Sequence, residues 1–220
     1  MKSHTREPAI NDFYQHYLLN RDRAAFRQQV VERYTIATLE RLATQGQRMT
    51  RRAAVLAIAL CGQYASNEVL ARALHDPDRG VRTLAEDGVR LLWCRYGSIE
   101  DRRRLASLIK LNGSSRFAEA IALATRLVAA QPGMAEAWNQ RAIAYFRSGE
   151  LAKSISDCRK ALAVNPFHFG AAAGLGQCYL QLGDRGAALQ SLRHALELNP
   201  NLEGVRTNIA YLERARNQQD

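Results

Sequence analysis

Four cysteines, five prolines and an aromatic content of 7% are little for 220 residues, and each scarcity removes a class of protein. Cys61, Cys94, Cys158 and Cys178 form no C-x-x-C pair and have no histidine at zinc-ligand spacing, so no metal is expected. All four fall inside apolar helical pattern and read as reduced, buried thiols. Cys158 and Cys178 stand on successive helices, which leaves a disulfide between them as an alternative. No apolar run approaches the roughly 18 residues of a membrane span. Arg6, Glu7 and Asp12 interrupt the first twenty residues, so no secretory leader is expected and the cytoplasm is the default compartment. Phosphate-loop, G-x-S-x-G and H-E-x-x-H patterns are missing. His4, His16, His75, His168 and His194 stand in no catalytic constellation, and His75 meets Asp76 by adjacency alone. Neither enzyme activity nor a cofactor is expected.

Lysine is nearly absent as well: only Lys2, Lys110, Lys153 and Lys160 among 31 basic residues, which leaves the net charge of +10 to arginine. Basic residues are spread along the chain, with one dense group at Arg95, Arg102, Arg103 and Arg104. Such a group attracts phosphate or acidic partners non-specifically, or forms a solvated helix face.

What the sequence does have is repetition, with a period of about 34 residues. Trp138, Ala142, Tyr145, Gly149, Cys158, Ala161 and Pro166 are answered by Ala172, Gly176, Tyr179, Gly183, Leu192, Ala195 and Pro200. Gly149 and Gly183 fall between two apolar-periodic runs, where a helix ends in a left-handed residue before the chain turns back. Pro166 and Pro200 cannot extend the helices before them and so mark unit boundaries. Ala142, Gly176, Ala161 and Ala195 let helices approach, while Trp138, Tyr145 and Tyr179 fill the space beside them. A fixed period of this size, with a large residue, a small one, a tyrosine, a turn glycine and a closing proline, resembles the tetratricopeptide repeat. The resemblance implies an all-α, right-handed helical-repeat solenoid.

The rest of the chain follows from its punctuation. Residues 1–21 read as an N-terminal arm with Phe13, Tyr14 and Tyr17. Asp22 caps a helix expected over Arg23 to Thr44, ended by Gly46. Thr50 is expected to cap a helix whose small and branched apolar residues recur on nearly every face. A further helix follows Ser66, then an Asp76-Pro77-Asp78 turn and a helix opening at Val81-Arg82. Laying Thr50-Arg51 on Val81-Arg82 sets Ala54 on Ala85 and Leu60 on Leu91. This shorter offset, with the D-P-D turn and V-R pair, resembles the short bacterial HEAT-like repeat over about residues 50–96, with 22–44 as the preceding helix or a cap, so residues 22–97 are expected to form a HEAT-like region. Gly88 in mid-helix costs about 1 kcal/mol against alanine and points to a close helix crossing. Ser98-Ile99-Glu100-Asp101 opens the next helix as a capping box, and Gly97 marks the seam. Residues 98–202 divide into a degenerate first repeat, 98–134, and two fuller ones, 135–168 and 169–202. Residues 203–220 read as a capping helix and polar tail.

In tetratricopeptide-like arrays the first helices line a concave groove, where residues one period apart stack. The resemblance implies three rows: Leu105/Asn139/Ala173/Thr207, Ile109/Ile143/Gln177/Tyr211 and Asn112/Phe146/Leu180/Arg214, with Arg147 and Gln181 beside them. Chaperone-binding members of the family place asparagine where the middle row has Ile109, Ile143 and Gln177, so a chaperone-tail clamp is not expected. The expected site is Asn139, Ile143, Phe146, Arg147, Gln177, Leu180, Gln181, Tyr211 and Arg214. It would suit an extended or helical peptide with apolar anchors and some acidic residues. The same side chains could instead pack on one another, on the capping helix or on a second copy of the chain. The function expected is a non-catalytic protein-interaction scaffold; the alternative is a nucleic-acid accessory role for the Arg95–Arg104 cluster.

Overall fold

In the computed structural model, residues 8–217 are described, and they form thirteen α-helices with no strand among them. Two compact units divide at Leu92/Trp93.

The first unit holds α1 (Ile10–Asn20), α2 (Arg23–Arg33), α3 (Ile36–Gln45), α4 (Arg48–Cys61), α5 (Asn67–Ala73) and most of α6 (Arg79–Trp93). Over its described residues the N-terminal arm is a packed helix: Ile10 and Tyr14 are buried, and α1 lies against α2 and α4. Residues 1–7 of the arm lie outside the described residues.

The single helix expected from Arg23 to Thr44 is two, broken at Tyr34-Thr35. Asp22 caps the first, its Oδ1 accepting from Ala24 and Ala25 N–H at 2.9 and 3.0 Å. Thr35 caps the second through Thr38 N–H. Tyr34 turns at the break to accept from Ile10 N–H through its hydroxyl at 3.0 Å. Thr50 caps nothing, because α4 already begins at Arg48 and the buried Thr50 hydroxyl donates to Asn11. The apolar wealth of α4 is buried as expected, with Ala53 to Ala59 all in the core. Gly88 marks the close crossing: a Cβ there would stand 2.8 Å from Ala59 Cβ and 2.9 Å from Leu70 Cδ1. The D-P-D turn is held by two fork-to-carboxylate pairs, Arg51 with Asp76 and Arg52 with Asp78, both closest at under 3 Å.

The second unit stacks α7 (Ile99–Gly113), α8 (Phe117–Ala130), α9 (Ala135–Arg147), α10 (Leu151–Val164), α11 (Phe169–Gln181), α12 (Arg185–Leu198) and α13 (Glu203–Asn217), each packed on the next. The unit is a helical-repeat solenoid. The first helices α7, α9 and α11 also touch in sequence, so they form an inner layer. Gly149 and Gly183 adopt φ of 79° and 77°, the left-handed geometry the turn requires. Ala142, Ala161 and Ala195 are buried, and Gly176 admits Leu192 so closely that a Cβ would meet its Cδ2 at 2.4 Å. The Ser98 capping box is present, with Asp101 answering Ser98 N–H. Cys158 and Cys178 are both free, and Cys178 Sγ donates to Ser154 Oγ at 3.2 Å. Residues Gln218, Gln219 and Asp220 of the expected tail lie outside the described residues.

Candidate functional site: the face of the first helices

Along α9, Glu136, Asn139/Gln140, Ile143 and Phe146/Arg147 recur at three- and four-residue spacing and therefore share one face. The structure divides this face into an open end and a closed one.

The open end lies toward the C-termini of the first helices. Phe146 and Arg147 of α9 with Gln177, Leu180 and Gln181 of α11 line one open groove of about 510 Å³. Five of the nine expected residues thus meet in one place. Phe146, Gln177 and Leu180 are half-buried, while Arg147 and Gln181 are exposed. The Arg147 guanidinium sits 5.7 Å from the centroid of the Phe117 ring, which carries its charge at the groove's edge. In the middle row Ile109 is 37% exposed, Ile143 39% and Tyr211 65%. Ile109 and Ile143 stand one repeat apart and Tyr211 two repeats further on, with Gln177 between them. Arg214 is exposed on α13, its Nε donating to Ala210 O; neither it nor Tyr211 lines the groove.

The closed end lies at the N-termini of α9 and α11. Asn139, expected to meet a partner, is instead 8% exposed and turned toward the Glu136 carboxylate at 3.4 Å. Glu136 is buried too, and it accepts from Gln140 Nε2 at 2.7 Å and from His168 Nε2 at 2.9 Å. His168 caps α11, its Nδ1 accepting from Ala171 N–H at 3.1 Å. That bond leaves Nε2 to carry the proton that the buried Glu136 carboxylate accepts. Burial pushes the Glu136 carboxyl up, but the His168, Gln140 and Asn139 donors outweigh it and hold the group below its ordinary value. Trp93 lies flat on the imidazole, with ring centroids 3.9 Å apart and planes at 15°. The same site pushes the neighbouring Cys94 thiol up to about 11, by burial first and by the charge of Glu136 second. Nothing in the sequence pattern singled out Glu136, His168 or Trp93. Their only signal is register, since His168 stands one repeat period after Met134, an apolar residue at the same helix start.

The arginine group is engaged locally. Arg104 Nε lies 3.3 Å from Glu100, Arg103 3.9 Å from the same carboxylate, and Arg102 Nε donates to Gly97 O. Glu100 and Asp101, placed by the helix start, thus offset much of the cluster's charge. Arg95 is half-buried.

This arrangement, paired helices presenting an open inner face, defines a repeat scaffold. Residues 133–201 match the family model of the tetratricopeptide repeat, so this stretch of the chain carries tetratricopeptide repeats. The chain is 30% identical over 125 residues to a repeat-containing protein of Rhizobium etli, covering 57% of this chain and 60% of that one. It is also 30% identical to cellulose synthase operon protein C of Escherichia coli, across 52% of this chain but 10% of the relative. The chain therefore spans less than two thirds of these relatives' length. Among solved structures, the first repeat domain of Spaghetti (RPAP3) bound to the HSP90 peptide SRMEEVD aligns with a TM-score of 0.52 and 26% identity. That alignment covers 54% of this chain and 94% of that one. The first repeat domain of human RPAP3 aligns at 0.51 and 25%. No helix among the described residues is long and apolar enough to cross a membrane.

Proposed function

We infer that the chain is a non-catalytic interaction module that captures a peptide segment of a protein partner at the open end of the first-helix face. The observation that carries this reading is the groove of Phe146, Arg147, Gln177, Leu180 and Gln181, together with the exposure of Ile109, Ile143 and Tyr211 on the first helices and α13. The surface suits a segment with two or three apolar anchors, and Arg147 and Arg214 favour acidic residues beside them. The peptide SRMEEVD in the similar structure of Spaghetti, with methionine and valine among three acidic residues, is of this composition. The isoleucines of the middle row still argue against an asparagine-based clamp on its carboxylate. Residues 98–202 form the repeat platform in this reading, the final helix α13 caps it, and residues 22–97 add a HEAT-like helical region in the same chain.

Phe146→Glu tests the reading, because it places a charge in the groove at a half-buried position. Intact protein is used to capture partners from a lysate of its own organism at low and high salt. A protein partner retained at high salt and lost with Phe146→Glu, at unchanged helicity, supports the module. Capture dominated by nucleic acid, indifferent to Phe146 and lost at high salt, overturns it in favour of the arginine cluster.

A further inference from the structure

The first unit carries a cavity that has no part in the groove. It lies in the seam between α1 and α2 and has a volume of about 250 Å³. Phe13, Tyr17 and Asn20 of α1 stand at four- and three-residue spacing, as do Asp22, Phe26 and Gln29 of α2, so each helix turns one face to the seam. Phe26 is the floor at 1% exposed, whereas Phe13 and Tyr17 are half-buried and remain partly open beside it. The Tyr17 and Phe26 rings meet at 5.6 Å between centroids with planes at 47°, which sets them as walls at an angle and leaves the space between the helices unfilled. Asp22 is the one carboxylate in the lining, where exposed His16 also stands, and among the described residues no arginine or lysine joins them. Its Oδ1 accepts from the Ala24 and Ala25 N–H groups of the α2 cap, so the carboxylate is held in place. The rings of this seam already hold one cation of the chain's own, since the Arg33 guanidinium sits 5.5 Å from the Phe13 centroid.

We propose that this cavity is a binding site for a quaternary ammonium group, the trimethylammonium headgroup of a small molecule or of a methylated lysine side chain. The rings of Phe13, Tyr17 and Phe26 offer the negative faces that attract a cation, and the fixed Asp22 carboxylate supplies the opposite charge. A phosphate would meet Asp22 with no arginine or lysine in the lining, and a neutral ligand would leave the carboxylate without a use. The cavity is smaller than the roughly 300 Å³ at which sites for drug-sized ligands begin, so it suits a single headgroup. Arg21 and Arg23 flank Asp22 in sequence and weaken the pull on any cation, so charge alone does not choose the ligand. An unmodified lysine ammonium is compact and strongly hydrated, whereas a methylated one has little hydration to lose and gains more from the rings. The site belongs to the first unit and shares no residue with the Phe146 groove, so it goes beyond the groove reading and does not depend on it.

The test titrates the full chain with choline at constant ionic strength and follows the trimethyl proton signal by ligand-observed NMR. Saturable binding is expected, and the neutral analogue of choline, in which a tert-butyl group replaces the trimethylammonium, should bind at least about ten-fold more weakly. Asp22→Asn removes the charge but keeps the α2 cap, because asparagine caps as well as aspartate, and should weaken choline by about three-fold at unchanged helicity. Tyr17→Leu should weaken it by about ten-fold. A second arm replaces choline with the blocked amino acid N-acetyl-trimethyllysine amide, and the tighter of the two probes identifies the source of the headgroup. Equal binding of choline and its neutral analogue overturns the proposal, as does binding of unmethylated lysine amide as tight as that of the trimethylated form. Choline binding indifferent to both Asp22→Asn and Tyr17→Leu, or no saturable binding of either trimethylammonium probe, overturns it as well. Should Tyr17→Leu lose its cooperative unfolding, the neutral analogue and Asp22→Asn still decide. Phe146→Glu should leave choline binding unchanged, and the groove reading survives any of these results.

Discussion

Replacing His168 with alanine should be among the most damaging single changes in the second unit, and the structure allows the loss to be estimated contact by contact. The N-cap bond from Ala171 N–H contributes about 1 kcal/mol. The stack on Trp93 contributes about 0.5–1.5 kcal/mol beyond the area it buries. The Nε2 bond ends on a carboxylate, and hydrogen bonds to charged groups contribute about 1.5–3 kcal/mol. Neighbouring contacts do not add fully, so about 3–5 kcal/mol is expected in total. His168→Asn keeps a capping side chain and loses the other two contacts, so it should recover roughly 1 kcal/mol. Both tryptophans, Trp93 and Trp138, lie in the second unit, so urea unfolding followed by tryptophan fluorescence reports on that unit alone. A loss below about 1 kcal/mol for His168→Ala would refute the reasoning, because it would mean that the buried Glu136 finds equivalent donors without the imidazole.

Three further perturbations test other parts of the fold. Gly176→Ala gains helix propensity of about 1 kcal/mol but sets a Cβ 2.4 Å from Leu192 Cδ2, and overpacking costs about 1–3 kcal/mol. A net loss of about 1 kcal/mol is expected by urea denaturation. The same change at Gly186, whose nearest neighbour would be Asp184 Oδ1 at 3.7 Å, should be neutral or stabilising by up to about 1 kcal/mol. The Arg52 hydrogen bonds hold the Asp78 carboxyl at about 2, below its ordinary 3.8. Because the folded value is the lower one, the pair stabilises fully above about pH 4 and fades as pH falls toward about 2, by no more than about 2 kcal/mol. Arg52→Gln should remove that slice of the pH dependence in urea midpoints read by circular dichroism; an unchanged profile would count against the pair. Burial pushes the Cys158 thiol up to about 12, and the Cys178 thiol upward as well. Neither should react with a thiol reagent near neutral pH until the second unit unfolds, and rapid labelling of the native protein would contradict that burial.

How far the sequence could be read depended on whether a feature recurs. Gly149, Gly183, Pro166, Pro200 and the small residues at helix crossings recur one period apart, so each position was supported by its twin and its backbone role followed from residue type. The open groove was legible for the same reason: Phe146 with Leu180, Arg147 with Gln181, and Ile143 with Gln177 are period-related pairs, and a periodic face needs only helix geometry to be placed. Where the chain does something once, that support disappears. The break at Tyr34-Thr35 answers to the Tyr34 hydroxyl meeting Ile10 N–H, a contact across 24 positions that no local pattern encodes. Thr50 reads as a cap from its neighbours alone, but α4 already begins at Arg48 and the Thr50 hydroxyl is turned to Asn11, 39 positions away. Asn139 shows the same effect inside the site: the repeat assigns it to the open row, but Glu136, which has glycine at both later equivalents, turns it inward. Glu136, His168 and Trp93 form a constellation from three separate elements, two of them in first helices of different repeats and the third outside the repeats altogether. A period reports what successive units share. A site that distinguishes one unit from the next is by construction what the period leaves out, so departures from a repeat, such as a buried histidine where the register has methionine, are the places to look for what is particular to this chain.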